Sequence, residues 1–228
     1  MQHLAIIPDG NRRWAIKHKL QTFMGHKKGL SAFKVAIEFC LKNNINYLSF
    51  YAFSLENFNR SETEKNYLFN LLIEEFSAQL PELIKQRVRI RFLGNKEYFP
   101  KTVLPFIKDA ENQTKELKKL NLNILFCYGS QNEITNAVKE MAQKVQAGVL
   151  AIDDIDEKQI SNHLLTSGMP DPDLIIRTSG FSRLSNFLLY QAAYSEFMFL
   201  NCLWPDITLN HLDKCLKDFK DIKRNFGS

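Results

Sequence analysis

Three short stretches of this 228-residue chain carry the residue types from which anion or metal chemistry is built. In "IIPDGNRRWA" an apolar run stops at Pro8 and is followed by Asp9, Gly10, Asn11, Arg12, Arg13 and Trp14. A helix beginning there exposes unpaired backbone N–H groups and the positive end of its dipole, which suits phosphate. Asp9 would repel a bare phosphate unless a cation bridges them, and Mg²⁺ is commonly held by few carboxylates together with substrate phosphates. The plainer alternative is that Asp9 and Asn11 only cap the helix. In "RTSGFSRLSN" two guanidiniums, Arg177 and Arg183, and the hydroxyl of Ser185 surround Gly180. They suit a second phosphate or diphosphate, or form a loop of solvated arginines. In "SLENFNRSETE", Ser54, Glu56, Asn57, Arg60 and Glu64 form either a polar network or a turn into a helix whose first-turn acids suit its dipole. His26, in "GHKKG", opens a helix in this reading, as an anion contact or as a surface cap.

These clusters need a scaffold, and the hydrophobic pattern supplies one. Six apolar runs, "HLAIIP", "YLSFYAF", "VRIRFLG", "LNILFCY", "LIIRT" and "FMFLNCL", are mostly continuous, which suits strands covered on both faces. Between them lie helical periodicities. One stripe in "TEKNYLFNLLIEEFSAQL" holds Leu68, Leu71, Leu72, Phe76 and Leu80, and one in "GLSAFKVAIEFCLKN" holds Phe33, Ile37, Cys40 and Leu41. "NEITNAVKEMAQKVQAG" reads as a helix closed by Gly148, and "LDKCLKDFKDIKRNFG" as a terminal helix. Strand and helix alternate, so the expected fold is α/β: one domain over 1–228 with a central, largely parallel six-stranded sheet flanked by helices. In such a sheet ligands bind beyond the carboxyl ends of the strands, and each cluster directly follows a strand. "DDIDE", at Asp153 to Glu157, has a paired-aspartate look but no second copy. It reads as a helix N-terminus with solvated carboxylates.

Composition narrows the classes. The hydrophobic fraction of 45% and charged fraction of 24% are those of a globular domain. A net charge of +5 without a basic run interleaved with aromatics does not indicate a nucleic-acid partner. Cys40, Cys127, Cys202 and Cys215 lie far apart and read as buried reduced thiols rather than zinc ligands or disulfides. Neither a signal pattern nor a run of membrane-spanning length is present, so a cytoplasmic protein is expected. Eighteen phenylalanines suit either a large apolar cavity or a compositional bias shared with Lys, Asn and Ile.

Taken in order, "IIPDGNRRWA", "GHKKG", "YAFSLENFNRSETE" and "DPDLIIRTSGFSRLSNFLLYQAAYSEFMFLNCLWPDI" resemble the cis-prenyltransferase family, in particular its bacterial undecaprenyl diphosphate synthase branch. The joint match covers nearly the whole chain and is far more specific than any one block. The resemblance implies repeated condensation of isopentenyl diphosphate onto farnesyl diphosphate, giving a long-chain polyprenyl diphosphate, the lipid carrier precursor for cell-wall polysaccharides. It also implies Mg²⁺ dependence, a homodimer, a hydrophobic tunnel within the sheet domain, and transient contact with the inner face of the membrane at product release. Asp9 then matches the essential aspartate, contacting Mg²⁺ with Glu196 as the second acidic contact. Gly10, Asn11, Arg12, Arg13 and Trp14, with His26, match the allylic diphosphate cradle. Arg177, Arg183 and Ser185 match the isopentenyl diphosphate site. Ser54, Glu56, Asn57, Phe58, Arg60 and Glu64 match a loop that closes over substrate, with Asn57 placed beside Asp9 in the catalytic set. An amide cannot act as the base by itself, so water or a phosphate oxygen is the candidate for that role.

The chain departs from the family pattern at four places. Phe58 stands for a common Trp, Thr22 for a common Arg, and Phe181 for a common Glu; Asn225 stands for the Arg of a C-terminal R-x-G, with Arg224 as a substitute. Two rival readings are a non-catalytic accessory subunit and a general phosphate-binding protein. The first conflicts with retention of Asp9, Arg13, Arg177 and Arg183.

Overall fold

Each of the six apolar runs forms a strand in the computed structural model, which describes residues 1–223. They are β1 (His3–Ile7), β2 (Tyr47–Ser54), β3 (Val88–Leu93), β4 (Leu120–Tyr128), β5 (Leu174–Arg177) and β6 (Glu196–Phe199). The sheet order is β3-β4-β2-β1-β5-β6, and every neighbouring pair is parallel. All five residues of β1 are buried, as a strand with both faces covered must be. Leu4 and Ile6 join a core with Phe33, Phe50 and Phe76. Ala5 and Ile7 join a second core with Tyr51, Ile175 and Phe187 on the opposite face.

Among the described residues, seven α-helices cover these faces: α1 (Asn11–Lys17), α2 (Thr22–Lys42), α3 (Glu62–Lys85), α4 (Leu104–Thr114), α5 (Ser130–Gln146), α6 (Glu157–His163) and α7 (Leu209–Asp221). The expected stripes face inward, with Phe33, Ile37 and Cys40 of α2 and Leu71, Leu72, Phe76 and Leu80 of α3 buried. α3 continues through Pro81 because Leu83 extends its buried stripe. Gly148 closes α5 at φ +68°, and Asp156 caps α6 by accepting the Gln159 N–H at 2.7 Å. Asp153, Asp154 and Glu157 are exposed. The terminal helix ends at Asp221, earlier than its sequence pattern suggests. Arg224 and Asn225 lie outside the described residues.

One expectation is corrected. α2 begins at Thr22, not at the "GHKKG" glycines, so His26 sits inside the helix instead of opening it. Gly25 and Gly29 look like helix breakers but serve as contact points. A Cβ on Gly25 would lie 1.9 Å from the Asn11 carbonyl oxygen, and one on Gly29 would lie 2.4 Å from Asn11 Oδ1 and 2.9 Å from Trp204. Without those side chains α2 lies directly against the start of α1, which brings His26 toward the end of β1.

The topology also explains why three separated clusters meet. β1 is flanked by β2 and β5, and the segments after these three adjacent strands are the three polar clusters. The chain reverses its direction of travel across the sheet at β1, where open α/β sheets form their binding crevice.

Candidate active site

From the end of β1 the chain turns at Gly10, whose φ of +111° and close approach to Leu203 leave no room for a Cβ. Gly10 occupies the N-cap of α1, and no side chain caps that helix. Asn11 instead donates from Nδ2 to the Pro8 carbonyl at 3.3 Å, while its Oδ1 is buried without a partner. The capping role weighed for Asp9 and Asn11 is therefore not the one they fill.

Asp9 projects into the crevice. Its Oδ2 accepts from Arg177 Nη2 at 2.8 Å, and its Oδ1 lies 3.5 Å from Arg13 Nη2. The Asp9 backbone carbonyl accepts from Thr178 Oγ1 at 2.6 Å and from the Trp204 N–H at 3.0 Å, fixing the turn. Arg177 is buried and donates from Nη1 to Ser185 Oγ at 2.8 Å and to the Arg183 carbonyl. Arg13 donates to the Ser179 carbonyl at 3.2 Å and to Ser179 Oγ. The first and third clusters thus form one electropositive surface around a single carboxylate.

The loop after β5 holds unusual backbone. Ser179, Ser185, Asn186 and Leu188 all have positive φ, a conformation that L-residues keep only when their surroundings impose it. Asn186, which sequence reasoning missed, is the fastener. Its carbonyl accepts the Ser130 N–H and its Oδ1 accepts the Gln131 N–H, both at 2.8 Å. Its Nδ2 donates to Glu56 Oε1 at 2.7 Å, tying this loop to the segment after β2. Behind it Glu133, whose carboxyl is raised by burial, accepts from Tyr128 Oη at 2.5 Å and from the Leu165 N–H at 2.7 Å.

The second cluster forms a 3₁₀ turn, Leu55–Asn59, in which Asn57 Oδ1 accepts the Ser54 N–H at 3.2 Å as part of a capping box. Arg60 donates to Glu64 Oε1 at 3.3 Å; Arg12 Nε and His26 Nε2 each lie 4.0 Å from the same oxygen. Burial, then the charges of Arg60 and Arg12, push the His26 imidazole down to about 4, so it is neutral near pH 7. Its Nε2 is buried without a hydrogen-bond partner.

These groups share one cavity of about 930 Å³. Its polar wall comprises Asp9, Gly10, Asn11, Arg12, Arg13, His26, Ser54, Glu56, Asn57, Arg60, Arg177, Arg183 and Ser185. The same cavity is lined by apolar side chains of α2, α3 and β2, among them Phe33, Phe50, Leu68, Leu72 and Phe76. A molecule with a polyanionic head and a hydrocarbon body has a complementary surface for each part.

Comparison with known proteins agrees with that chemistry. A family profile described as "Putative undecaprenyl diphosphate synthase" matches residues 7–227. The isoprenyl transferase of Staphylococcus saprophyticus is 43% identical over 99% of this chain and 89% of its own length. That of Lactobacillus johnsonii is 44% identical over 100% and 96%. The chain belongs to the cis-prenyltransferase family.

Two solved structures share its fold over the whole chain. Lavandulyl diphosphate synthase from Lavandula x intermedia, in complex with dimethylallyl diphosphate, superposes with a TM-score of 0.96 at 33% identity, covering 98% of that chain. A probable undecaprenyl diphosphate synthase from Campylobacter jejuni gives 0.82 at 30% identity, covering 99% of its chain.

Within this cis-prenyltransferase, four residues named from the family blocks do not line the cavity. Glu64 sits behind it, accepting from the lining residue Arg60 at 3.3 Å. Trp14 turns away, donating from Nε1 to Asp206 Oδ1 at 2.7 Å and stacking on His18. Phe58, itself part of the 3₁₀ turn, packs edge-on to Phe53 with centroids 5.2 Å apart. Glu196 begins β6 opposite Leu174, whereas Arg177, at the site, is opposite Phe199. Three residues of strand, about 10 Å at the usual rise, separate Glu196 from that level. Among the described residues no group of three or more His, Cys, Asp or Glu could hold a metal ion. The donor set therefore fits Mg²⁺ held by Asp9 together with oxygens of a bound diphosphate, and not a cation held by protein alone.

Proposed function

We propose that this cis-prenyltransferase extends farnesyl diphosphate with successive isopentenyl diphosphate units to a long-chain, undecaprenyl-type polyprenyl diphosphate. The observation that carries this reading is the single cavity joining the guanidiniums of Arg13, Arg177 and Arg183 to an aromatic and aliphatic interior. The allylic diphosphate is held by the Gly10–Arg13 turn with His26, and the isopentenyl diphosphate by Arg177, Arg183 and Ser185. As the allylic carbon–oxygen bond breaks, its electron pair passes to the departing diphosphate. Fixed guanidiniums beside that oxygen stabilise the charge without reorganising, which commonly lowers the barrier more than any other effect in such sites. The isopentenyl double bond then forms the new carbon–carbon bond, and a proton leaves the adjacent carbon. Mg²⁺, when bound with the diphosphate, supplies further neutralisation of the leaving charge. Neutral His26 can donate or accept a hydrogen bond at the diphosphate without carrying charge. Asn57 orders the 3₁₀ turn after β2, and Glu64 holds Arg60 and Arg12 beside the neutral His26.

A homodimer belongs to the same proposal. In support, β6 lies at the sheet edge with the parallel-stacked rings of Phe197 and Phe199 partly exposed. Glu196 belongs to that edge rather than to its own chain's cavity, so the metal reading rests on Asp9. Membrane contact is proposed as transient: no helix among the described residues is long and apolar enough to cross a bilayer.

A second reading is a single condensation to a short product, favoured by the closer superposition on the lavandulyl diphosphate synthase. One assay separates the two. Purified protein, Mg²⁺, farnesyl or dimethylallyl diphosphate and radiolabelled isopentenyl diphosphate are incubated, and butanol-extracted products are resolved by length. Labelled long-chain polyprenyl product from farnesyl diphosphate is expected, and Asp9→Asn lowers its formation by about 100-fold or more. Only ten-carbon products would establish the short-chain reading, and no incorporation would refute both.

A further inference from the structure

The ring of Phe181 lies among three cations. The guanidinium carbon of Arg183 is 4.2 Å from its centroid, that of Arg13 4.6 Å and that of Arg177 5.9 Å. All three fall within the range at which an aromatic ring attracts a cation. The arginines come from two directions, Arg13 from α1 and the other two from β5 and the loop after it. Asp9 pairs with Arg177 and Arg13. Arg183 forms no salt bridge among the described residues, and the Phe181 ring is what holds its guanidinium. The ring itself is partly exposed and lines the cavity.

We propose that Phe181 is a positioning residue that fixes Arg183 against Arg13 through its π-face and so sets the spacing of the two diphosphate subsites. This rests on the two-diphosphate reading above. Three like charges converging on one pocket repel each other, and a single carboxylate does not neutralise them all. A phenyl ring relieves that repulsion while consuming no N–H donor, so the donors of Arg183 stay available to phosphate oxygens. A carboxylate at position 181 would act in the opposite sense: it would engage those donors in ion pairs and compete with the anion. An aliphatic side chain would fill the space but leave Arg183 unheld. Because the ring touches arginines of both subsites, its loss alters their relative position as well as the occupancy of either.

The test uses inorganic pyrophosphate as the probe, titrated calorimetrically into the full chain, alongside steady-state kinetics. Phe181→Leu is expected to weaken pyrophosphate binding, and to raise KM for isopentenyl diphosphate, by about fivefold to tenfold, with kcat changed by less than about twofold. Phe181→Tyr, which keeps the π-face, is expected to restore both, and Phe181→Glu to weaken pyrophosphate binding more than Leu does. Thermal unfolding of each variant separates these effects from loss of fold. Equal pyrophosphate affinity for the Leu and Tyr variants would overturn the proposal, as would a fall in kcat with KM unchanged. Pyrophosphate binding is read without turnover. A wild-type protein lacking transferase activity would therefore sink the functional reading while the Leu–Tyr difference still decides the role of Phe181.

Discussion

Protonation of His26 is opposed by burial and by the facing guanidiniums of Arg60 and Arg12, and its pKa falls to about 4. His3, at the start of β1, also falls to about 4, with burial again the largest cause but no facing guanidinium. Burial dominates there, and the neutral ring is held on both sides: Nδ1–H donates to the Pro170 carbonyl at 2.7 Å, and Nε2 accepts from Ser49 Oγ at 2.8 Å. Both pKa values lie below the unfolded value of 6.5, so the unfolded chain binds more protons between about pH 6.5 and pH 4. Their contribution to stability is complete above that window and lost as pH falls through it. Each histidine is expected to remove roughly 2 kcal/mol of unfolding free energy between pH 7 and pH 5. Urea unfolding at the two pH values should show this loss, and His26→Gln should reduce it by about half. An unchanged pH dependence in that variant would mean His26 titrates as it does in water. At this scale the sequence was a good guide to residue type and a poor one to role. Asp9 and Asn11 looked like caps and are not, whereas Asn57, placed in the catalytic set by resemblance, caps a turn through Oδ1 and also lines the cavity.

Helix α2 shows where local signals fail. Gly25 and Gly29 bracket His26 and read as a boundary, yet they lie within a helix because α1 and Trp204 press against them. A 1.9 Å approach of a Gly25 Cβ to the Asn11 carbonyl cannot be relieved by rotating a side chain, since the obstacle is backbone. Gly25→Ala is expected to cost about 3 kcal/mol or more by overpacking and to displace the Gly10–Arg13 turn. Gly148→Ala, at φ +68° with nothing within 4 Å, should cost about 1 kcal/mol and leave activity alone. Comparable melting temperatures for the two variants would contradict this account of α2. The strands were legible because both faces of a parallel sheet demand continuous apolar runs. The close approach of α1 to α2 was not, because glycine carries the same letter at a breaker and at a contact. Asn186 escaped notice for a related reason: its left-handed backbone and its bonds to α5 and Glu56 arise from tertiary structure alone.

The whole molecule places an anion-binding surface at one end of a sheet and an apolar interior beneath it. The surplus of phenylalanine finds part of its explanation here. Phe33, Phe50 and Phe76 line the cavity, while Phe53, Phe69, Phe126 and Phe99 form a chain of ring contacts outside it. Three clusters spread along the chain from Asp9 to Asn186 converge because β2, β1 and β5 are neighbours, an adjacency that block order could suggest but only the sheet order fixes. Glu196 shows the limit of carrying a motif across: its sequence block is intact, yet β6 places it three residues from the level of Arg177. The central claim is that one cavity receives head and tail of the same molecule. A crystal structure with a non-hydrolysable farnesyl thiodiphosphate tests it most directly. The account predicts the diphosphate against Gly10–Arg13 and the hydrocarbon running past Leu72 toward Phe33 and Phe76. A diphosphate bound there with its chain lying outside, on the protein surface, would contradict it.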